Sequence, residues 1–336
     1  MSASSPQQSS QSNAAQTRFE VVIVGAGFSG LLCATYLSEA GIGSLRIFET
    51  TPAVGGVWSR EGVGAYPGAA CDVPSYMYLP FLDRTGFIPS KKYVSQPEIS
   101  AYAEMMTDHL GIRDNIRFSR KVTEFKYLGK GDDVWQVTTV DTVSGAAPEV
   151  VTCRHVVCAN GPLSSPRMPE FPGFNLFKGE SFHTARWDRS AKLTGKRVGV
   201  IGTGASAAQV ITAIADDVKS LHVFQRTPTW CLRRDDEPTP PDIEANFRAG
   251  GYGEKLRYVD WKGEFPPVPP LIEFDALHDE QQNEAICAQL RALIGNDVKD
   301  PELAKNIDTR LSIFLQTGTF HRRLLHNIQQ TAGPPR

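Results

Sequence analysis

The sequence predicts an α/β protein that contains two doubly wound parallel sheets. Its 336 residues are 41% hydrophobic and 21% charged, a composition typical of globular chains that bury a sizeable core. Two segments, residues 19–49 and 197–226, each have the pattern of a strand, a glycine-rich turn, a helix and a second strand. In both segments a charged residue follows the second strand at the same distance from the first glycine. This pattern is typical of the opening βαβ unit of a doubly wound sheet.

The first βαβ unit carries Gly25, Gly27 and Gly30 between its first strand and its helix. In such a turn the first glycine permits a tight bend, the second lets a pyrophosphate approach the backbone, and the third lets helix and strand pack closely. The phosphates then lie on N–H groups at the helix N-terminus. Glu49 ends the second strand and can accept hydrogen bonds from a ribose diol, but would repel a 2′-phosphate. The unit is therefore predicted to bind FAD or NAD.

The second βαβ unit has Gly202, Gly204 and Ala207 at the corresponding positions, with Arg226 and Thr227 after its second strand. An arginine and a hydroxyl donor attract a 2′-phosphate, so this unit is predicted to bind NADPH. The alternatives are a glycine-rich turn without a ligand and an arginine that is only a solvated cation. The candidate NADPH contacts are Thr203, Gly204, Ala205, Ser206, Gln209, Arg226 and Thr227. Together the two units indicate two dinucleotide-binding (Rossmann-type) domains in one chain.

The domain organisation follows from composition. Residues 1–17 are rich in Ser and Gln without an apolar stretch, which predicts a disordered tail rather than a secretory signal. We expect residues 18–160 to form the FAD-binding domain, 161–187 a linker, and 188–336 an incomplete NADPH-binding domain. The polar, proline-rich residues 235–270 are expected to be an insertion or cap.

Composition also disfavours several classes of protein. The 37 acidic and 35 basic residues give a net charge of −2, which disfavours a nucleic-acid partner. No apolar run approaches the ~20 residues that span a bilayer. The six cysteines form no CxxC pair, so neither a metal site nor a dithiol redox centre is expected. A reduced, cytoplasmic protein is the simplest interpretation.

Residues 177–188 read FKGESFHTARWD and match the FxGxxxHxxxW(P/D) fingerprint of the Baeyer–Villiger monooxygenases at every fixed position. Residues 55–58 resemble the GGxW element of this branch of the class B flavin monooxygenases, residues 66–72 its YPGxxCD element, and residues 225–228 its QRTP strand end. By these motifs the chain is identified as a member of the family. In the family the fingerprint links the two domains, and no proton transfer is assigned to His183.

The resemblance implies an FAD domain with an inserted NADPH domain. It also implies a reaction in which NADPH reduces the flavin, and one oxygen of O2 is then inserted beside a ketone carbonyl to give an ester or lactone. Asp72 is the candidate catalytic residue, because the family's YPGxxCD aspartate positions an arginine of a Lys-Arg pair; the alternative is an aspartate that caps a turn. Trp58 and Tyr78 could also be ordinary buried aromatics. The candidate flavin contacts are Gly25, Gly27, Ser29, Gly30, Glu49, Val57, Trp58, Asp72, Tyr78 and Val122.

The chain departs from the family near its end. Residues 300–303 supply the family's DPEL segment, but no Lys-Arg pair follows before Arg336. The C-terminal part of the FAD domain is therefore expected to be missing. Codons for residues 311–317 can be chosen that encode Tyr-Pro-Phe-Phe-Cys-Lys-Arg when read one base later, which favours the hypothesis of a frameshifted gene. We expect the chain as written to bind FAD weakly or not at all. Without the arginine, any flavin that is bound is expected to release hydrogen peroxide rather than oxygenate.

Two other functions remain open. One is a flavin monooxygenase that oxidises nitrogen or sulfur, although Trp187 and Asp188 argue against it because those relatives usually lack this ending. The other is a non-catalytic remnant of a monooxygenase. The sequence gives neither the substrate nor the oligomeric state, and a role in fungal secondary metabolism is suggested only by analogy.

Overall fold

The computed structural model describes residues 18–61, 64–129, 133–226, 230–232 and 236–250, with Ala288, Ala292 and the strand Ile313–Leu315. The chain divides into two compact units. The first contains residues up to 56 together with 110–161, and the second contains residues 57–109 together with 162–336. The expected tail, residues 1–17, lies outside the described residues. The domain boundaries drawn from the sequence stay a prediction.

A six-stranded sheet forms the first unit, with the strand order β3-β2-β1-β6-β5-β4. Its strands are β1 (Arg18–Val24), β2 (Leu45–Phe48), β3 (Ile116–Arg117), β4 (Arg120–Tyr127), β5 (Trp135–Asp141) and β6 (Glu149–Cys158). β1 pairs in parallel with β2 and β6, β2 pairs in parallel with β3, and β5 is antiparallel to β4 and β6. Helix α1 (Phe28–Glu39) connects β1 to β2. The α/β class and the first βαβ unit are thereby confirmed.

The core of the first unit explains the apolar character of β1. Val21, Val22 and Ile23 are all buried, although adjacent residues of a strand point to opposite faces of the sheet. A central parallel strand is covered on both faces and therefore needs an unbroken apolar run. One core cluster of this unit consists of Val22, Phe48, Val137, Val151 and Cys153.

The second unit contains the other βαβ motif. β7 (Arg197–Ile201) pairs in parallel with β8 (Ser220–Phe224), and α5 (Ala205–Ile214) connects them. The apolar face of α5 packs with β8 in a cluster of Ala207, Ala208, Val210, Ile211, Ile214 and Leu221. The second predicted motif is therefore also present.

Short elements complete the second unit. In the ranges described continuously, its other helices are α2 (Ser75–Tyr78), α3 (Leu82–Thr85), α4 (Gln96–His109) and α6 (Pro241–Arg248), and 3-10 turns lie at Phe174–Leu176 and Thr184–Arg186. β9 (Trp230–Leu232) pairs in parallel with β10 (Ile313–Leu315). α6 lies in the segment expected to be an insertion or cap. No helix within the described ranges combines the length and the apolar character needed to cross a membrane.

Candidate functional site

The first glycine turn depends on backbone conformations that only glycine adopts easily. Gly25 has φ of 103°, in the left-handed region. A Cβ on Gly25 would lie 2.7 Å from the carbonyl oxygen of Ala159. The Gly25 N–H donates to the carbonyl of Phe48 at 2.8 Å, which ties the turn to the end of β2. Gly25 is thus required by the fold itself.

Gly30 is required for a different reason. A Cβ at this position would lie 2.0 Å from the carbonyl oxygen of Gly25. Helix α1 therefore rests directly on the turn, in the close helix–strand packing expected of the third glycine.

Gly27, in contrast, is not explained by packing within the first unit. It precedes the first residue of α1 with φ of −73°, which any residue adopts, and it offers no side chain to the helix N-terminus. The nearest atom to an added Cβ would be the Cα of Gly56 at 3.6 Å, an ordinary contact. Gly27 thus lies at the N-terminus of α1 without the close contacts that fix Gly25 and Gly30, and Ser29 in the first turn of the helix is exposed. A pyrophosphate binds at the helix N-terminus that follows such a turn.

Glu49 is fixed against the same turn. It is 7% exposed, and its Oε2 accepts a hydrogen bond from the N–H of Ala26 at 2.8 Å. Its Oε1 accepts from the N–H and the hydroxyl of Thr51, at 2.8 and 2.9 Å. The carboxylate thus lies at the turn, where a ribose bound there could reach it. Val122, the remaining candidate of this unit, packs its side chain against the core cluster.

The second glycine turn repeats the geometry of the first. Gly202 has φ of 104°, and its N–H donates to the carbonyl of Phe224 at 2.8 Å, as Gly25 does to Phe48. Gly204 precedes α5 with φ of −69° and gives no side-chain cap. No described atom lies within 4 Å of a Cβ placed on Gly204. Its glycine identity is again unexplained by packing.

The other NADPH candidates lie around this turn. Thr203 lies within it, Ala205 and Ser206 begin α5, and Arg226 is exposed beyond the end of β8. Thr227 lies outside the described residues.

Gln209 joins α5 to the YPGxxCD loop, residues 66–72. The Tyr66 hydroxyl donates to Gln209 Oε1 at 2.9 Å, and Gln209 Nε2 donates to the carbonyl of Ala70 at 3.0 Å. A Cβ on Gly68, whose φ is 78°, would lie 2.5 Å from the carbonyl oxygen of Gln209. Burial raises the pKa of Tyr66, so its hydroxyl stays protonated and able to donate. The Gln209 amide therefore anchors the loop that carries Asp72.

Trp58 and Tyr78 form a second anchored pair. Trp58 Nε1 donates to the Tyr78 hydroxyl at 2.6 Å, and the rings meet edge to face at 5.8 Å between centroids. Gln96 Nε2 donates to the Trp58 carbonyl at 2.6 Å. Burial raises the pKa of Tyr78. Val57, next to Trp58, is half-buried, and its carbonyl oxygen would lie 2.1 Å from a Cβ on Gly64.

Asp72 lies at a cavity within the second unit, which we call the Asp72 cavity. Its volume is about 890 Å³. Its polar and aromatic lining includes Arg60, Tyr66, Asp72, Lys91, Trp187, Arg189, Gln209 and Asp236. Asp72 is exposed, and no hydrogen bond to its carboxylate is present among the described residues.

Sequence reasoning missed the charged residues of this cavity. Arg60, Lys91, Arg189 and Asp236 belong to none of the quoted motifs, and they are far apart in the chain. Lys91 Nζ lies 2.6 Å from Asp236 Oδ2. Arg189 lies 3.8 Å from Glu61. The predicted departure from the family, residues 300–317, lies outside the described residues apart from β10.

The fingerprint builds a local turn. His183 Nδ1 accepts a hydrogen bond from the N–H of Ala185 at 3.0 Å and so caps the 3-10 turn at Thr184–Arg186. Phe182 and Trp187 meet edge to face at 4.9 Å, and Trp187 packs against the α5 cluster. The segment thereby holds an aromatic wall of the Asp72 cavity in place.

Comparison with known proteins gives consistent relatives. The chain is 41% identical over 251 residues to a 2-oxo-Δ3-4,5,5-trimethylcyclopentenylacetyl-CoA monooxygenase of Pseudomonas putida, covering 71% of this chain and 44% of the relative. It is 38% identical over 249 residues to a Baeyer–Villiger monooxygenase of Stachybotrys chlorohalonatus, covering 71% of this chain and 38% of that protein. The chain thus spans less than half the length of these two relatives.

Solved structures agree with the sequence comparison. The structure of OTEMO in complex with FAD and NADP superposes with a TM-score of 0.73 at 29% identity, covering 92% of this chain and 64% of that one. Cyclohexanone monooxygenase from Rhodococcus sp. Phi1, bound to NADP⁺, gives a TM-score of 0.75 at 30% identity, covering 92% and 63%. Residues 18–248 match the model of the flavin-binding monooxygenase-like family. The chain therefore belongs to the flavin-binding monooxygenase-like family, and its resemblance to the Baeyer–Villiger monooxygenases is confirmed.

Proposed function

We propose that this protein binds FAD at the Gly25 turn and NADPH at the Gly202 turn, as part of a monooxygenase of the Baeyer–Villiger type. One observation carries the proposal. Gly27 and Gly204 have ordinary φ angles and room for a Cβ among the described residues, so their own packing does not require glycine. A Cβ at either position would fill the space before a helix N-terminus, where a pyrophosphate binds.

The two turns differ in the charge beside them, which supports different nucleotides. Glu49 is fixed next to the first turn by three hydrogen bonds. It would accept hydrogen bonds from the ribose of FAD. Arg226 is exposed beyond β8, where it can pair with the 2′-phosphate of NADPH through charge-assisted hydrogen bonds.

The Asp72 cavity of the second unit is proposed to take up the substrate. FAD bound at the Gly25 turn would, once reduced by NADPH, supply the reaction with O2. The protein's part is to position the substrate and to exclude water. Trp187 and the anchored loop of Tyr66 wall the cavity, and the Asp72 carboxylate would position a cation near the reacting atoms. The substrate is proposed to be a small-molecule ketone. The lack of any CxxC pair among the six cysteines supports a reducing compartment, and we propose the cytoplasm.

Glycine substitutions test the proposed binding sites. Gly204→Ala should weaken NADP⁺ binding at least ~10-fold while leaving the unfolding transition unchanged, because the new methyl group meets phosphate and not protein. Gly27→Ala should weaken FAD binding in the same way. Isothermal titration or flavin fluorescence measures both affinities, and Gly43→Ala, which meets no atom within 4 Å, is the matched control. Unchanged affinities in both variants would contradict the proposal.

The identity of the second nucleotide has a separate test. Arg226→Gln should weaken NADP⁺ binding ~10- to 100-fold, since hydrogen bonds between charged groups are the strong ones. NAD⁺ lacks the 2′-phosphate, so its affinity should change little. An equal loss for both nucleotides would show that Arg226 does not contact the 2′-phosphate.

A further inference from the structure

Residues 90–95, which we call the middle segment, lie between two other pieces of the second unit. On one edge the N–H of Cys71 donates to the carbonyl of Val94 at 2.9 Å. The N–H of Ser75 donates to the carbonyl of Lys92 at 2.7 Å, and the Val94 N–H donates to the Ser75 hydroxyl at 2.9 Å. These bonds flank Asp72, so the position of its backbone depends on the middle segment.

The opposite edge of the middle segment pairs with residues 236–248, which we call the strap. The Lys92 N–H donates to the carbonyl of Glu237 at 2.9 Å, and the Thr239 N–H donates to the carbonyl of Ser90 at 3.0 Å. An antiparallel bridge joins Lys91 and Pro238. The middle segment therefore lies between the loop of Asp72 on one side and the strap on the other, and backbone hydrogen bonds join it to both.

Asp236 fixes the strap at its start. One carboxylate oxygen lies 2.6 Å from Lys91 Nζ, and the other accepts from the N–H of Tyr93 at 3.3 Å. The side chain of Asp236 is 16% exposed and that of Lys91 36%. Ion pairs shielded from water are screened less than exposed ones. Both partners line the Asp72 cavity.

The strap is also fixed near its end. Phe247 is 1% exposed, and its ring meets that of Tyr76 edge to face at 5.7 Å. The Tyr76 hydroxyl donates to Thr239 Oγ1 at 2.9 Å. The strap thus has an apolar attachment that persists if the ion pair is removed.

We infer that Asp236 and Lys91 are positioning residues for Asp72. Their ion pair holds the strap on the middle segment, and the middle segment holds the backbone on both sides of Asp72. The pair also neutralises a cation within the Asp72 cavity, which leaves the Asp72 carboxylate free to hold another cation. The effect of this pair on the reaction rests on the proposed function. Its effect on the backbone around Asp72, which is the structural part of the inference, does not.

Hydrogen exchange of the whole chain tests the structural part. Asp236→Ala should speed exchange at the amides of Cys71 and Ser75 about 10-fold or more, because exchange follows local opening. Lys91→Met should have the same effect, and the double variant should add little, since both residues act through one interaction. Asp242→Asn, an exposed acid of the same strap, is the matched control. Unchanged exchange at Cys71 and Ser75 in Asp236→Ala would overturn the inference.

A chemical measurement separates positioning from mere support. In the FAD-loaded protein, Asp236→Ala should lower the kcat for NADPH oxidation, with the KM for NADPH unchanged, and Asp236→Glu should partly restore the wild-type kcat. An unchanged kcat in Asp236→Ala would overturn the positioning role. If wild-type protein binds no NADPH, the proposed function fails, and the hydrogen-exchange result still decides the structural part.

Discussion

Replacing Gly30 by alanine should destabilise the first unit strongly. The added Cβ would lie 2.0 Å from the carbonyl oxygen of Gly25, 3.1 Å from its carbonyl carbon and 3.5 Å from Ile23 Cγ2. A carbon and an oxygen rarely approach closer than about 3.2 Å, so helix and turn must separate by about 1.2 Å. Neither side yields easily, because the turn is bonded to Phe48 and Leu31 of α1 is bonded to Gly27. Overpacking of this kind costs roughly 1–3 kcal/mol, and we expect the upper end because both clashing groups are backbone.

Urea denaturation followed by circular dichroism measures this effect, with the slope of the transition checked for constancy. Gly43→Ala is the matched control in the same unit, because its Cβ meets no atom within 4 Å and its φ is not left-handed. The control should change the free energy of unfolding by no more than about 1 kcal/mol, in the stabilising direction if its φ and ψ suit alanine. A Gly30→Ala variant within about 0.5 kcal/mol of the wild type would refute the reasoning, since ordinary surface substitutions fall in that range.

Two further predictions concern Tyr66 and Cys153. Tyr66→Phe removes the hydrogen bond to Gln209 Oε1 and should lower the free energy of unfolding of the second unit by about 1 kcal/mol. An unchanged free energy of unfolding in this variant would contradict the role of the Tyr66 bond. Burial raises the pKa of the Cys153 thiol from 9.0 to about 11, so its contribution to stability is complete below pH 9 and is lost as pH rises towards 11. The stability difference between wild type and Cys153→Ala should therefore shrink between pH 8 and pH 11 in denaturant titrations, and a constant difference would show that the thiol does not ionise differently on unfolding.

The βαβ motifs were predictable because their signals are local. Gly25 and Gly202 need left-handed φ angles of 103° and 104°, which restricts their identity to glycine whatever surrounds them. The apolar runs of β1 and β7 and the spacing to Glu49 were readable from the sequence for the same reason. The fold class followed from these patterns, and the family followed from the fingerprint at residues 177–188.

The roles of side chains that contact residues distant in the chain were harder to predict from the sequence. The sequence marks Gln209 and Val122 as cofactor contacts, and those roles stay predictions. The structure shows that the Gln209 amide bonds to Tyr66 and Ala70, and that the partly buried Val122 side chain packs against the core. A motif gives the residue type that a position requires, but not how many partners share that side chain.

The sequence by itself determined the two glycine turns, the charge beside each of them and the resemblance to a monooxygenase family, because turn conformation and strand pattern depend on adjacent residues. Only the tertiary structure decided which distant side chains meet at the Asp72 cavity. Lys91 and Asp236 are 145 positions apart, yet their charged atoms lie 2.6 Å from each other. No periodicity encodes such a pair, since it forms only when the strap and the middle segment satisfy each other's backbone hydrogen bonds.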